Sequence, residues 1–320
     1  MRRCQNLPAV CAHGGVAGTA PRAFDRAMKI AARAATVVVT LLATLIAHPL
    51  PAGASADPPG TTERTIAMGD WDRRYLLHLP PERAGAAETG GPRPLIVALH
   101  GGLNDPEYVR RQSGLDEVAD EAGYAVAYPE GLLGTWNAGA CCWFARWSGV
   151  DDVAFLDALI DTLVREGVAD PRRVFLTGFS NGGGMAYRYA CERSARVAGI
   201  AVVSGALAIG CTPGHPTSVL AFHGTSDISV PYHGGGNMDA GVEFPFFPVQ
   251  MTMEYWRWLN GLPALSWPVP GGPDGCVGTG PGPLLVALCT EQEGGHEWPG
   301  YASEMMVEFF GARPPLPKAA

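Results

Sequence analysis

The chain has 320 residues, 47% hydrophobic and 17% charged, with a formal net charge of −8. No basic stripe accompanies that acidic balance, which argues against nucleic acid or an anionic membrane surface as partner. The apolar share and the length leave room for a substantial core.

The first segment reads as a targeting sequence. Residues 34–47 form an apolar run behind Lys29 and Arg33, and Ala54-Ser55-Ala56 supplies an A-x-A cleavage site. The run is too short to span a bilayer comfortably, so a cleaved signal peptide is expected and no stable membrane insertion after it. Residues 1–27 are long and only loosely basic for such a leader, so translation is expected to start at Met28. Cleavage after Ala56 leaves a single catalytic domain over 57–312 and a Pro-rich tail over 313–320. Beyond the cleavage point lie Cys141, Cys142, Cys191, Cys211, Cys276 and Cys289. An even count in an exported chain reads as disulfides. Zinc is the rival, but neither C-x2-C nor HExxH spacing occurs, so no metal is expected, and no other cofactor.

Two short strands, 65–68 and 73–79, flank Gly69-Asp70 as an edge hairpin. The continuous apolar run 95–99 reads as a buried parallel strand and ends in His100-Gly101-Gly102. A helix over 107–122 and a strand over 124–128 follow. The stretch 131–149 is long, irregular and rich in Trp and Cys, a length usually tied to function. Residues 151–165 carry helical spacing, and Asp151 and Asp152 read as first-turn residues favoured by the helix dipole. The remaining strands are expected at 173–178, 197–203, 218–222 and 283–289, and the remaining helices at 182–191, 249–259 and 302–310. Uninterrupted apolar strands alternating with helices imply an α/β fold with a doubly wound, mostly parallel sheet.

The strand at 173–178 runs into Gly178-Phe179-Ser180-Asn181-Gly182. This is the G-x-S-x-G elbow, in which a serine is exposed on a strained strand-to-helix turn. A serine hydroxyl needs a base, and the base needs a carboxylate to orient it. On an α/β-hydrolase fold they follow in the order Ser, acid, His, each beyond the end of a strand. Asp227, after strand 218–222, and His296, after the last strand, meet that rule. His223 is expected to brace a loop, and His233 lies too close to Asp227 along the chain. Oxyanion donors are expected from the backbone N–H of Asn181 and from Gly102 or Leu103.

The ordered set Leu99-His100-Gly101-Gly102, Trp136-Asn137-Ala138-Gly139 with Cys141-Cys142, Val150-Asp151-Asp152-Val153, Gly178 to Gly183, His223 to Asp227 and Gly295 to Gly300 resembles the polyhydroxybutyrate depolymerase family of esterases. These are related to the feruloyl and acetylxylan esterases of carbohydrate esterase family one. The resemblance runs from about Arg73 to Phe310 and implies a secreted serine esterase with Ser180 as nucleophile, Asp227 as orienting acid and His296 as base. The chain departs from the family in two places. Asn260-Gly261-Leu262 stands where Asn-Gly-Cys is usual, which leaves Cys276 without its customary partner and offers Cys289 instead. The other bridges would then draw on Cys141 or Cys142 with Cys191 and Cys211. The aromatic stretch 244–247 has no counterpart and reads equally as a lid or a packing patch.

Trp136, Trp143, Trp147 and Trp298 fall near the site loops and could stack on a sugar ring, a phenolic acyl group or a polyester surface; two of the four are expected to be core packing. An ester substrate is therefore expected: a small molecule, a polysaccharide-linked acyl group or a polyester oligomer. An acyltransferase on the same fold, and a non-catalytic surface binding protein, are the competing readings.

Overall fold

A computed structural model describes residues 60–69, 71–81, 91–236, 245–265, 267–269 and 272–317. The leader, its cleavage site, Phe244 and the end of the tail lie outside the described residues.

Among the described residues, one sheet of ten strands organises the domain, in the order β1-β2-β4-β3-β5-β6-β7-β10-β9-β8. The strands are β1 (Thr61–Met68), β2 (Trp71–His78), β3 (Arg93–Leu99), β4 (Ala125–Pro129), β5 (Ala169–Phe179), β6 (Gly199–Val203), β7 (Ser218–Gly224), β8 (Trp267–Pro268), β9 (Cys276–Gly278) and β10 (Val286–Glu291). The six central strands from β4 to β10 in that order pair in parallel. Antiparallel strands close both edges. The apolar runs that identified the central strands are apolar because both faces of the sheet are covered. Leu95, Val97 and Leu99 of β3 enter one core, and Ile96 and Ala98 enter the other. β5 divides its side chains in the same way.

The helices are α1 (Pro106–Ser113), α2 (Leu115–Ala122), α3 (Trp143–Ser148), α4 (Asp152–Arg165), α5 (Asn181–Glu192), α6 (Val249–Leu259) and α7 (Ala302–Gly311). α4, α5 and α6 pack on one face of the sheet; α1, α2 and α7 pack on the other. The single helix expected over 107–122 is two. Gly114 adopts φ 60°, and its N–H caps the carbonyl of Arg110, which ends α1 before α2 begins.

The disulfides correct one expectation. Cys276 pairs with Cys289, joining β9 to β10, and Cys191 pairs with Cys211. Cys141 and Cys142, however, pair with each other rather than with either of those residues.

Candidate active site

The elbow takes its shape from close approach of main chain. Ser180 has φ 53° and ψ −117° between the end of β5 and the start of α5. Its N–H donates to Val203 O at 2.9 Å, and its carbonyl accepts from Gly184 N–H at 3.0 Å. A Cβ on Gly182 would lie 2.4 Å from the carbonyl oxygens of His100 and Leu99, and one on Gly178 would lie 2.4 Å from Gly182 C. Only glycine allows that contact between β3, β5 and α5. Ser180 stands at the amino end of α5, where the first-turn N–H groups lack acceptors within the helix.

Two strands along, Asp227 follows β7. Its Oδ1 accepts the N–H groups of Ser229 and Val230, each at 2.8 Å. Its Oδ2 accepts from His296 Nδ1 at 2.7 Å and lies 3.3 Å from His223 Nε2. Burial by itself would raise this carboxyl; the hydrogen bonds from His223, His296 and Val230 N–H outweigh it and hold the group well below the usual carboxylate range. His223 Nε2 also donates to Val230 O at 2.7 Å, so this histidine braces the acid loop.

His296 lies beyond β10, and its ring leans on Phe179, the neighbour of Ser180, with centroids 4.8 Å apart. The loops carrying Asp227 and His296 are sewn together: Thr225 N–H donates to Glu291 O and Ser226 N–H to Gly294 O, each at 2.9 Å. Ser180, Asp227 and His296 thus stand at the same edge of the sheet, beyond β5, β7 and β10.

The loop after β3 turns at Leu103, which has φ 59° and is exposed. It is held by His100, whose Nδ1–H donates to Gly101 O at 2.7 Å and whose Nε2 accepts Gly131 N–H at 2.9 Å. Burial pushes His100 down to about 4, so the ring is neutral near pH 7, as that bonding requires. Gly102 lies under Trp143: a Cβ there would come within 2.3 Å of the indole. The side chain of Asn181 does more than its backbone role suggested. Its Oδ1 accepts Trp136 N–H at 2.7 Å and its Nδ2 donates to Trp136 O at 2.9 Å, which clamps the start of α5 to the 131–149 stretch.

Of the four tryptophans near the site loops, two are packing residues. Trp136 is fully buried, with its indole N–H donating to His100 O at 3.0 Å; it is a strut beneath the loop after β3. Trp298 is nearly buried, bonds Ser303 Oγ at 3.0 Å and belongs to the core under α7. Trp143 remains. It lines a cleft of about 320 Å³ with Cys141, Cys142, Ser180, Gly184, Ile228, Val230 and Phe246. Phe246 of the unrecognised aromatic stretch therefore faces this cleft, while Phe247 is half exposed.

Asp152 also exceeds its expected role. It is fully buried, pairs with Arg73 at 2.8 Å and accepts Asn137 N–H at 2.8 Å. Arg73 in turn donates to Glu130 O at 2.8 Å and covers the Phe155 ring at 4.0 Å. The pair ties β2 and α4 to the stretch that walls the cleft. Asp151 alone acts as the helix cap, accepting Ala154 N–H at 2.9 Å. Among the described residues, no three His, Cys, Asp or Glu side chains are grouped to hold a metal ion, and no helix is long and apolar enough to cross a membrane.

Comparison with known proteins bears on this arrangement. Residues 73–228 match the family described as esterase PHB depolymerase. The protein named "Putative esterase NocK" from Nocardia uniformis subsp. tsuyamanensis is 33% identical over 260 residues, covering 75% of this chain and 74% of that protein. Feruloyl esterase C of Emericella nidulans is 35% identical over 170 residues, covering 51% of this chain and 58% of that enzyme. Among solved structures, acetyl xylan esterase from Aspergillus awamori superposes with a TM-score of 0.57 at 18% identity, covering 78% of this chain and 99% of that one. At that identity the superposition shows a shared α/β-hydrolase fold.

Proposed function

The chain belongs to the esterase PHB depolymerase family, whose members are carboxylic-ester hydrolases, and on that premise we propose that it is a secreted serine esterase working through an acyl-enzyme on Ser180. The observation that carries the reading is the 2.7 Å hydrogen bond between His296 Nδ1 and Asp227 Oδ2, beside the strained turn that presents Ser180.

The chemistry follows from that geometry. With Nδ1–H committed to Asp227, the free Nε2 of His296 is the basic nitrogen and takes the proton from Ser180 Oγ as it attacks the ester carbonyl. Asp227, kept ionised by its donors, stabilises the imidazolium that forms. The N–H groups of Asn181 and of Gly102 or Leu103 receive the oxyanion. The imidazolium then protonates the leaving alkoxide, releasing an alcohol and leaving the acyl group on Ser180. Water, deprotonated by His296, attacks the acyl carbonyl, and its collapse returns Ser180 and frees the acid.

The substrates proposed are short-chain, feruloyl or acetyl-polysaccharide, or hydroxyalkanoate esters. Secretion is supported by the apolar leader and by three disulfides in the folded unit. Turnover of p-nitrophenyl butyrate by the protein and by Ser180→Ala tests the reading. A loss of about a thousandfold or more supports it; unchanged turnover in the variant refutes it. Methyl ferulate, acetylated xylan and hydroxybutyrate oligomers, assayed in parallel, rank the substrate classes.

A further inference from the structure

The bridge between Cys141 and Cys142 is not needed to join distant parts of the chain, since its partners are adjacent in sequence. Its surroundings suggest another task. Both cysteines are buried, and with Ala140, Ala208, Val230 and Phe246 they form a small apolar cluster separate from the two cores that flank the sheet. Val230 belongs to the loop held by Asp227, so the disulfide shares this cluster with the segment that presents the acid. Both cysteines also line the cleft that contains Ser180.

The bridge also adjoins Trp143. That residue begins α3 immediately after Cys142 with φ 43°, a left-handed backbone that a tryptophan adopts only under constraint from its neighbours. Held there, its indole covers Gly102 in the loop after β3. The backbone on the other side of the bridge is pinned too: Ala138 N–H donates to Cys141 O at 2.7 Å, and Ala140 N–H to Ala208 O at 2.9 Å. Among the described residues, the cleft lining carries no ionised side chain. Small residues at Ala138, Gly184 and Ala206 keep it open, and a Cβ on Gly184 would already lie 3.0 Å from Ala206 O.

We propose that the vicinal disulfide, with Trp143 and Phe246, forms the wall that receives the acyl half of the ester and selects uncharged, apolar acyl groups. This inference rests on Ser180 being the nucleophile. Each methylene drawn from water into such a cleft favours the reaction about fourfold. An acyl chain ending in a carboxylate would shed its hydration with no countercharge in the lining, and is rejected.

The test compares p-nitrophenyl acetate, butyrate and hexanoate with p-nitrophenyl hemisuccinate, using the whole protein, C141S/C142S, W143A and, as a control far from the cleft, C276S/C289S. The native enzyme should gain roughly tenfold in kcat/KM from acetate to butyrate, and should turn over the hemisuccinate at least about thirtyfold less well than the butyrate. In C141S/C142S and W143A, kcat/KM for butyrate and hexanoate should fall about tenfold further than kcat/KM for acetate. The control should keep the native acyl profile. A flat profile in a native enzyme that still loses activity in Ser180→Ala overturns this inference alone. So does an equal loss for every acyl group in both wall variants. If C141S/C142S does not fold, W143A decides by the same criterion. Turnover that survives Ser180→Ala overturns the parent reading and this one with it.

Discussion

Removing Asp152 tests how the cleft wall is held to the rest of the domain. Asp152 and Arg73 are 0% and 8% exposed at their side chains, 2.8 Å apart, and each has a further partner in the main chain of the site loops. Burial raises the Asp152 carboxyl above the usual carboxylate range, against the opposing pull of Arg73 and of Asn137 N–H. The folded protein therefore takes up this proton more readily than the unfolded chain. Stability from this site rises as pH falls and is lower above the folded pKa. Such a pair is not a large net asset compared with apolar packing, but losing one member is costly because the other charge stays buried. Asp152→Ala should cost about 3–5 kcal/mol, which for a domain of this size lowers Tm by about 10 °C. Esterase activity should fall with it, since Asn137 loses its tether. Asp152→Asn keeps the shape and the Asn137 contact and should fall less. R73M/D152L, which removes both charges, should recover most of the loss. Urea denaturation monitored by tryptophan fluorescence measures all three. A cost below about 1 kcal/mol for Asp152→Ala, or a double variant as unstable as the single, would refute the reasoning.

Three further outcomes follow from the site. Asp227→Asn should lower kcat by about a thousandfold to ten-thousandfold with little change in KM, because the amide cannot hold His296 in the required tautomer; a loss under about tenfold in steady-state assays contradicts that role. His100, at about 4 when folded against an ordinary 6.5, binds its proton later than the unfolded chain does. Its contribution is fully present above pH 6.5 and is lost as pH falls towards 4, about 3 kcal/mol in all. Urea titrations across that window should show a shallower loss in His100→Gln than in the native protein, and identical slopes would count against a neutral buried ring. Gly182→Ala places a Cβ 2.4 Å from two main-chain oxygens that cannot yield; calorimetry should show a loss of about 3 kcal/mol, and a native Tm would mean the elbow is looser than described.

The legible parts of this protein were those with a local signature. Buried parallel strands are continuous apolar runs, and the elbow is a spaced pattern of glycines around a serine, so β3, β5, β6 and β7 could be read in advance, and with them the strand ends beyond which Ser180, Asp227 and His296 stand. Interactions between distant segments could not. Nothing local distinguishes Trp136, a buried strut, from Trp143, which faces the cleft, because both sit in one irregular stretch and differ only in what packs against them. The same holds for Asp152. Its place in the first turn of α4 is visible in sequence, whereas its partner Arg73 lies on β2, 79 residues away. Adjacency in sequence gives Cys141 and Cys142 no signal that they pair with each other rather than with distant cysteines. The side-chain clamp from Asn181 to Trp136 carries no sequence signal beyond the motif that contains it.

The central claim is that Ser180 carries the acyl group. Rapid acid quenching during turnover of p-nitrophenyl butyrate, followed by peptide mass spectrometry, tests it most directly. The account predicts a butyryl adduct on the peptide containing Ser180, absent from Ser180→Ala and longer-lived in Asp227→Asn. Turnover with no adduct there, or an adduct on another residue that survives Ser180→Ala, would contradict it.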